Sequence, residues 1–347
     1  MSKLNHLTGL RFIAAYIVVL SHIFGSGSFA LNEMGGVSVQ LFFVLSGFVM
    51  YINYAQKIVD KQINFVKYFK LRLIRLYPVY FLSILLYLVF SLRYANISNY
   101  YKPFLVNVFM LQSWIGDMGY AFSPLNAPSC SVSDEMFFYL AFYIVLKFGK
   151  SAKPAIFLML SYCIIWYVMI YYLRNGLSLL SFKWLYYINP LYRISDFFIG
   201  GIVGYIYIKK LQFLKITRNY LVLFFQLLVL ISVYASQYIL PLDKFWFSSV
   251  LVALMCGLCI MGLSLNSNNL FTKILSNKLM VLLGESSYSL YLFHFLVLFM
   301  ILAPFMSSHV SSLNFIILQL TIPIVFSILV YKLYEQPIYI FLKSKVK

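Results

Sequence analysis

T-G-L-R-F-I-A-A-Y-I-V-V-L-S-H-I-F, residues 8–24, reads as a membrane helix that carries two ionisable side chains, Arg11 and His22. The two are eleven positions apart. At about 100° and ~1.5 Å per residue they share nearly one helix face and lie roughly 16 Å apart along the axis. Ionisable groups are costly in a bilayer and face a cavity or a partner rather than lipid. The stretch is therefore expected to form one wall of a functional site inside a helical bundle.

Composition widens that reading to the whole chain. Of 347 residues, 63% are hydrophobic and 10% charged, too little polar surface for a soluble protein of this size. Long uninterrupted apolar runs point to helices and away from the alternating strands of an outer-membrane barrel. The expected fold is an all-α polytopic membrane protein, with one transmembrane domain over residues 1–347. Ten spans are expected, at about 9–26, 36–54, 76–92, 132–148, 155–173, 193–208, 219–238, 246–264, 281–302 and 314–334. With both termini cytoplasmic, they place 21 of the 27 Lys and Arg inside and 6 outside, the positive-inside bias. The net charge of +18 is then a matter of topology, and nucleic acid is not an expected partner.

The first span lacks a small-residue cleavage site and is expected to be retained. The four cysteines make no disulfide framework. Cys256-x-x-Cys259 has redox or zinc spacing, yet it sits in an apolar run without a second pair. It reads as packing, and no metal is expected. Gly200-x-x-x-Gly204 reads as close helix packing. The longest connection, 93–131, faces outward and enters the fourth span through N-A-P-S-C-S-V-S-D-E, residues 126–135. Long loops are more often functional than short ones.

Several side chains can carry chemistry. Histidine suits proton transfer near neutral pH, so His22 is the first candidate; the plainer alternative is a packing histidine bonded to a backbone carbonyl. Glu135 and Asp134 open the fourth span at roughly the depth of His22. Glu135 can orient an imidazole, or both acids can serve the helix start with Ser131 or Ser133 as N-cap; Asp134 fits the cap role better. Arg72 and Arg75, in R-L-I-R-L-Y-P just before span three, share a helix face. They suit a phosphate or ordinary inner-surface anchoring. Gln40 and Ser46 read as packing or kink residues. In span nine, Glu285 lies near the inner surface, and His294, mid-membrane, is either a packing residue or a substrate contact. Asp196 pairs with Arg193 or contacts substrate. Pro337, after Glu335 and Gln336, is expected to stop the last span. His6 and His309 carry no signal.

Six stretches taken together resemble the acyltransferase family 3 membrane proteins. They are L-T-G-L-R-F-I-A-A with Arg11 and His22, G-G-V-S-V-Q-L-F-F-V-L-S-G-F at 35–48, R-L-I-R-L-Y-P at 72–78, P-S-C-S-V-S-D-E-M-F-F-Y at 128–139, G-E-S-S-Y-S-L-Y-L-F-H at 284–294 and Y-E-Q-P at 334–337. The resemblance implies an O-acetyltransferase of a bacterial cell envelope, multi-pass in the cytoplasmic (inner) membrane. It would move an acetyl group from cytoplasmic acetyl-CoA to a hydroxyl of an extracytoplasmic cell-surface polysaccharide or lipid-linked glycan. By the same resemblance His22 is the catalytic histidine and Arg11 its motif partner. Arg72 and Arg75, with Arg11, serve the donor, and Glu135 matches the acid of the fourth span. Ser46, Asp134 and His294 are the further substrate-contact candidates. The family often has tryptophan where this chain has Cys130, so stacking of the acceptor there is not carried over. Membrane lipid and glycan-assembly proteins are the other expected partners. Some relatives add a C-terminal hydrolase-like domain, and a standalone form is expected here. His22 would act as general base or carry the acetyl group itself. The competing readings are a transporter or flippase for a lipid-linked glycan, in which the buried His and acids relay protons, and a silent scaffold of an envelope complex.

Overall fold

The computed structural model describes residues 4–25, 29–93, 100–115, 125–173, 184–209, 245–265, 270–304 and 312–346. Every regular element among them is helical. The helices are α1 (Asn5–Phe24), α2 (Phe29–Val59), α3 (Phe65–Ser91), α4 (Tyr101–Val108), α5 (Cys130–Gly149), α6 (Ala152–Leu173), α7 (Pro190–Lys209), α8 (Phe245–Leu265), α9 (Leu270–Leu275), α10 (Lys278–Glu285), α11 (Ser287–Phe295), α12 (Ser312–Val330) and α13 (Gln336–Ser344). Among the described residues, seven helical stretches are long and apolar enough to cross a membrane: Asn5–Phe24, Met34–Val59, Phe65–Ser91, Ala127–Gly149, Ala152–Leu173, Trp184–Lys209 and Leu313–Ser344. The bent pair Lys278–Glu285 and Ser287–Leu302 makes an eighth if it is one span. Within α8, Ser249–Leu265 is apolar but shorter. The expected span at 219–238 lies outside the described residues.

α2 is the central column, packed on α1, α5, α7 and α8. Its approach to α7 is close enough to require glycine. A Cβ on Gly47 would run into the Phe197 carbonyl, and one on Gly200 into the Val44 carbonyl. Gly204, the other half of the small-residue pattern, faces Tyr51 and the Phe48 carbonyl. Cys256 and Cys259 are buried in the same core. α1 runs between α2 and the pair α10–α11, where a Cβ on Gly284 would meet the Thr8 carbonyl.

Three departures from the expected spans bear on the site. α3 starts eleven residues before the expected 76 because Asn64 caps it, its side-chain oxygen accepting from the Lys67 N–H at 2.8 Å. Arg72 and Arg75 are thus mid-helix, not in the approach to a span. The last span does not stop at Pro337. A π segment, Tyr331–Glu335, leads directly into α13. Pro337 sits in the first turn of α13, where a missing N–H costs nothing. The ninth span breaks by 52° between α10 and α11. There the hydroxyls of Ser286 and Ser287 donate to the carbonyls of Leu283 (3.0 Å) and Gly284 (2.7 Å), a pattern that bends helices.

The described parts of the expected outward loop, 100–115 and 125–131, carry many buried residues. Asn107, Gln112, Ser113, Asn126 and Ser129 are all buried. Gln112 Nε2 donates to the Ser129 carbonyl at 2.9 Å, Tyr80 donates to the Asn107 carbonyl at 2.6 Å, and Ser113 and Ser133 are hydrogen-bonded at 2.7 Å. Polar residues that look like solvated loop are there because buried backbone groups need partners.

Candidate active site

α1, α2, α3, α5 and α11 enclose two cavities. The first, about 270 Å³, is lined by Arg11, Arg72, Arg75, Ser46, Glu135 and Tyr139, with apolar residues between them. Arg72 and Arg75 reach it together because they are three apart on α3. Arg72 lies flat on Tyr54, 4.6 Å from the ring centroid, and its Nη2 donates to the Tyr54 hydroxyl at 2.5 Å. Arg75 is paired instead. Its Nη1 donates to Glu335 at 2.8 Å, and the other oxygen of Glu335 accepts from Ser289 at 2.6 Å. Glu335 is 2% exposed, so the pair is anchored on the acid side. Glu135 accepts from Ser46 at 2.7 Å and from the Tyr139 hydroxyl. Three guanidinium groups against one lining carboxylate leave the cavity cationic.

The second cavity, about 400 Å³, is lined by His22, Ser21, Asn126, Cys130, Asp134 and Tyr187, among others. His22 is exposed to it. Its ring stacks on His294, with centroids 5.2 Å apart at 30°, and meets the edge of Phe295 at 5.6 Å. His294 is fully buried, and its Nδ1 lies 2.8 Å from the Tyr291 carbonyl. A carbonyl only accepts, so Nδ1 carries the hydrogen. His294 thus backs His22 and is absent from the cavity lining. Two oxygens among the lining residues, Oδ1 of Asn126 and Oδ1 of Asp134, are buried without a hydrogen-bond donor. The Asn126 amide cannot simply be turned round, since its Nδ2 donates to the Leu292 carbonyl at 3.2 Å and to Ser83 at 3.1 Å.

The expected partnership of His22 with Glu135 is not what the fold provides. Glu135 lines the arginine cavity, and its hydrogen bonds go to Ser46 and Tyr139. The capping expectation also fails. α5 starts at Cys130 after a 3-10 turn, so Ser131 and Ser133 are inside it and Asp134 and Glu135 fall beyond its first turn. Asp134 lines the His22 cavity instead. Arg11 and His22 sit on one helix as expected, but each opens on a different cavity. Ser46 is a partner of Glu135 rather than a kink residue. Gln40 holds Asp196, donating to it at 2.8 Å, while Arg193 pairs with the same carboxylate at 3.0 Å. Sequence reasoning gave Tyr54 no role and placed Glu335 only at the end of the last span, in Y-E-Q-P, without its partner Arg75; an acid at the end of an apolar run was the signal that a cation is near.

Comparison with known proteins gives the family. Residues 154 in number align at 29% identity with the acyltransferase MdmB of Streptomyces mycarofaciens, 40% of this chain and 38% of that protein. The match therefore spans well under half of the relative's length. No solved structure matches the chain. A family model described as an acyltransferase domain covers residues 4–332, which takes in both cavities and every residue that lines them except Tyr339. The chain belongs to acyltransferase family 3.

Proposed function

We propose that this protein is a membrane O-acetyltransferase that moves an acetyl group from acetyl-CoA, held at the arginine cavity, to an acceptor hydroxyl in the His22 cavity. The acceptor class is an extracytoplasmic cell-surface polysaccharide or lipid-linked glycan, and the topology is ten spans with both termini cytoplasmic. The observation that carries the reading is the meeting of a cationic cavity with a histidine cavity inside one helical bundle. Guanidinium groups bind phosphate oxygens in pairs, which suits Arg11, Arg72 and Arg75 to the anionic end of the donor. The phosphates lie against these arginines, and the thin pantetheine arm carries the thioester on from them toward His22. Glu135, fixed by Ser46 and Tyr139, is the acid of that lining.

On the acceptor side, Asn126 and Asp134 offer oxygens that lack donors, the complement of a hydroxyl-rich ligand. His22 takes the acceptor's hydroxyl proton as the oxygen attacks the thioester carbonyl. A C–O bond forms and the C–S bond breaks. The proton passes from the imidazolium to the departing thiolate, which leaves as the free thiol of coenzyme A. His294 and Phe295 fix the plane of the reacting ring.

The test is His22→Ala in membranes supplied with radiolabelled acetyl-CoA. General-base loss predicts that label entering the envelope glycan falls by about 10²-fold or more, while the size-exclusion profile of the purified variant is unchanged. Retained incorporation refutes the assignment.

A further inference from the structure

Four residues line both cavities: Val39 and Phe43 of α2, Ser131 of α5 and Tyr291 of α11. They are the wall between the arginines and His22. Two of the four are polar, and these two are bonded to each other. Ser131 Oγ lies 2.9 Å from the Tyr291 hydroxyl and 3.0 Å from the Pro128 carbonyl. Serine has one hydrogen, and the carbonyl can only accept. Ser131 is the donor in both contacts, so its one hydrogen is shared between the Tyr291 hydroxyl and the Pro128 carbonyl, and neither bond is at full strength.

The rest of the wall is held more firmly. Phe43 packs edge-on against Phe138 at 5.0 Å and under the Arg193 guanidinium at 4.9 Å. Arg193 is in turn fixed to Asp196. Tyr291 has the edge of Phe42 at 5.8 Å and one neutral hydrogen bond across the gap. A single neutral hydrogen bond shifts an equilibrium by only about tenfold, so it is the part of the wall that opens. Tyr291 has a second connection. Its carbonyl takes the Nδ1 hydrogen of His294, the ring that backs His22. Its ring also lies 6.1 Å from that of His294, so movement of the Tyr291 side chain is felt at the ring behind the reacting imidazole.

Resting on the donor and acceptor assignment above, we propose that the Tyr291–Ser131 hydrogen bond closes the passage between the two cavities. The acyl group reaches the His22 cavity between these two side chains when the bond breaks. Closed, the wall keeps water on the acceptor side from the thioester.

Cysteine accessibility in sealed membrane vesicles of either orientation tests this with a charged methanethiosulfonate reagent and needs neither donor nor acceptor. Cys130, which lines the His22 cavity, reports which vesicle face that cavity opens on. In a Cys130→Ser background, Val49→Cys reports on the arginine cavity, which Val49 lines. From the face that modifies Cys130, the Val49→Cys variant is expected to react at least about tenfold more slowly than from the opposite face. Adding Tyr291→Phe, which keeps the ring and removes the hydroxyl that accepts from Ser131, raises the slow rate about tenfold. Ser131→Ala does the same and stands in if Tyr291→Phe does not fold. Equal rates from both faces in the parent, no response to either substitution, or a reporter that reacts from neither face overturns the proposal. Failure of the functional reading shows separately, as acetylation retained by His22→Ala.

Discussion

Glu335→Gln tests how the arginine cavity is held, and its cost can be worked from two bonds. Glu335 accepts from Arg75 at 2.8 Å and from Ser289 at 2.6 Å, and is itself 2% exposed. Glutamine keeps the shape and one acceptor oxygen but removes the charge. Hydrogen bonds to a charged group contribute ~1.5–3 kcal/mol and neutral ones ~0.5–1.5 kcal/mol. Two bonds weakened by that difference amount to about 2–3 kcal/mol. The Arg75 side chain is 27% exposed, so water recovers part of the loss, and about 2 kcal/mol is expected. Arg75→Met goes the other way and leaves a buried carboxylate without its cation, which costs ~3–5 kcal/mol. The double variant removes both charges and should be less damaging than the sum by ~1–3 kcal/mol. Unfolding by SDS titration in mixed micelles, followed by tryptophan fluorescence, gives all four corners of the cycle. Additivity within about 0.5 kcal/mol, or a Glu335→Gln cost above that of Arg75→Met, refutes the argument that a buried acid anchors a half-exposed arginine.

Arg72→Lys keeps the charge but loses the flat stack on Tyr54 and the bond to its hydroxyl; affinity for acetyl-CoA, measured by calorimetry on purified protein, should fall about tenfold, and an unchanged affinity would mean that Arg72 acts only as a point charge. Gly200→Ala forces a methyl group into the Val44 carbonyl and should cost ~1–3 kcal/mol or more, whereas Gly201→Ala meets only the flexible Met159 side chain. Equal SDS midpoints for the two variants would contradict the close approach of α2 and α7.

Helical periodicity made the first stretch legible. Arg11 and His22 are on one helix and both face cavities, as the eleven-residue spacing implies. What periodicity cannot carry is a wall. Val39, Phe43, Ser131 and Tyr291 come from three helices, and none is unusual in its own segment. Glu135 was misplaced for a local reason. Its depth was judged from a helix start at 132, but α5 is preceded by a 3-10 turn and begins at Cys130, which puts Glu135 deeper in the helix, where it lines the arginine cavity. The Arg75–Glu335 pair joins residues 260 apart in the chain, a separation no local pattern reports. Pro337 looked like a stop because a proline usually is one; the π segment ahead of it supplies the extra residue that lets the helix run on.

The position of α1 has a consequence for how the protein is made. It leaves the ribosome ahead of the other helices named above, yet it packs against α9, α10 and α11 as well as its neighbour α2. Those partners start at Leu270, Lys278 and Ser287. The helix with Arg11 and His22 must therefore wait in the membrane, one flank uncovered, until most of the chain has been synthesised. His294, the ring behind His22, arrives later still. Neither cavity is complete before α11 docks, since Tyr291 belongs to both linings, so a chain cut short of that helix has neither cavity whole.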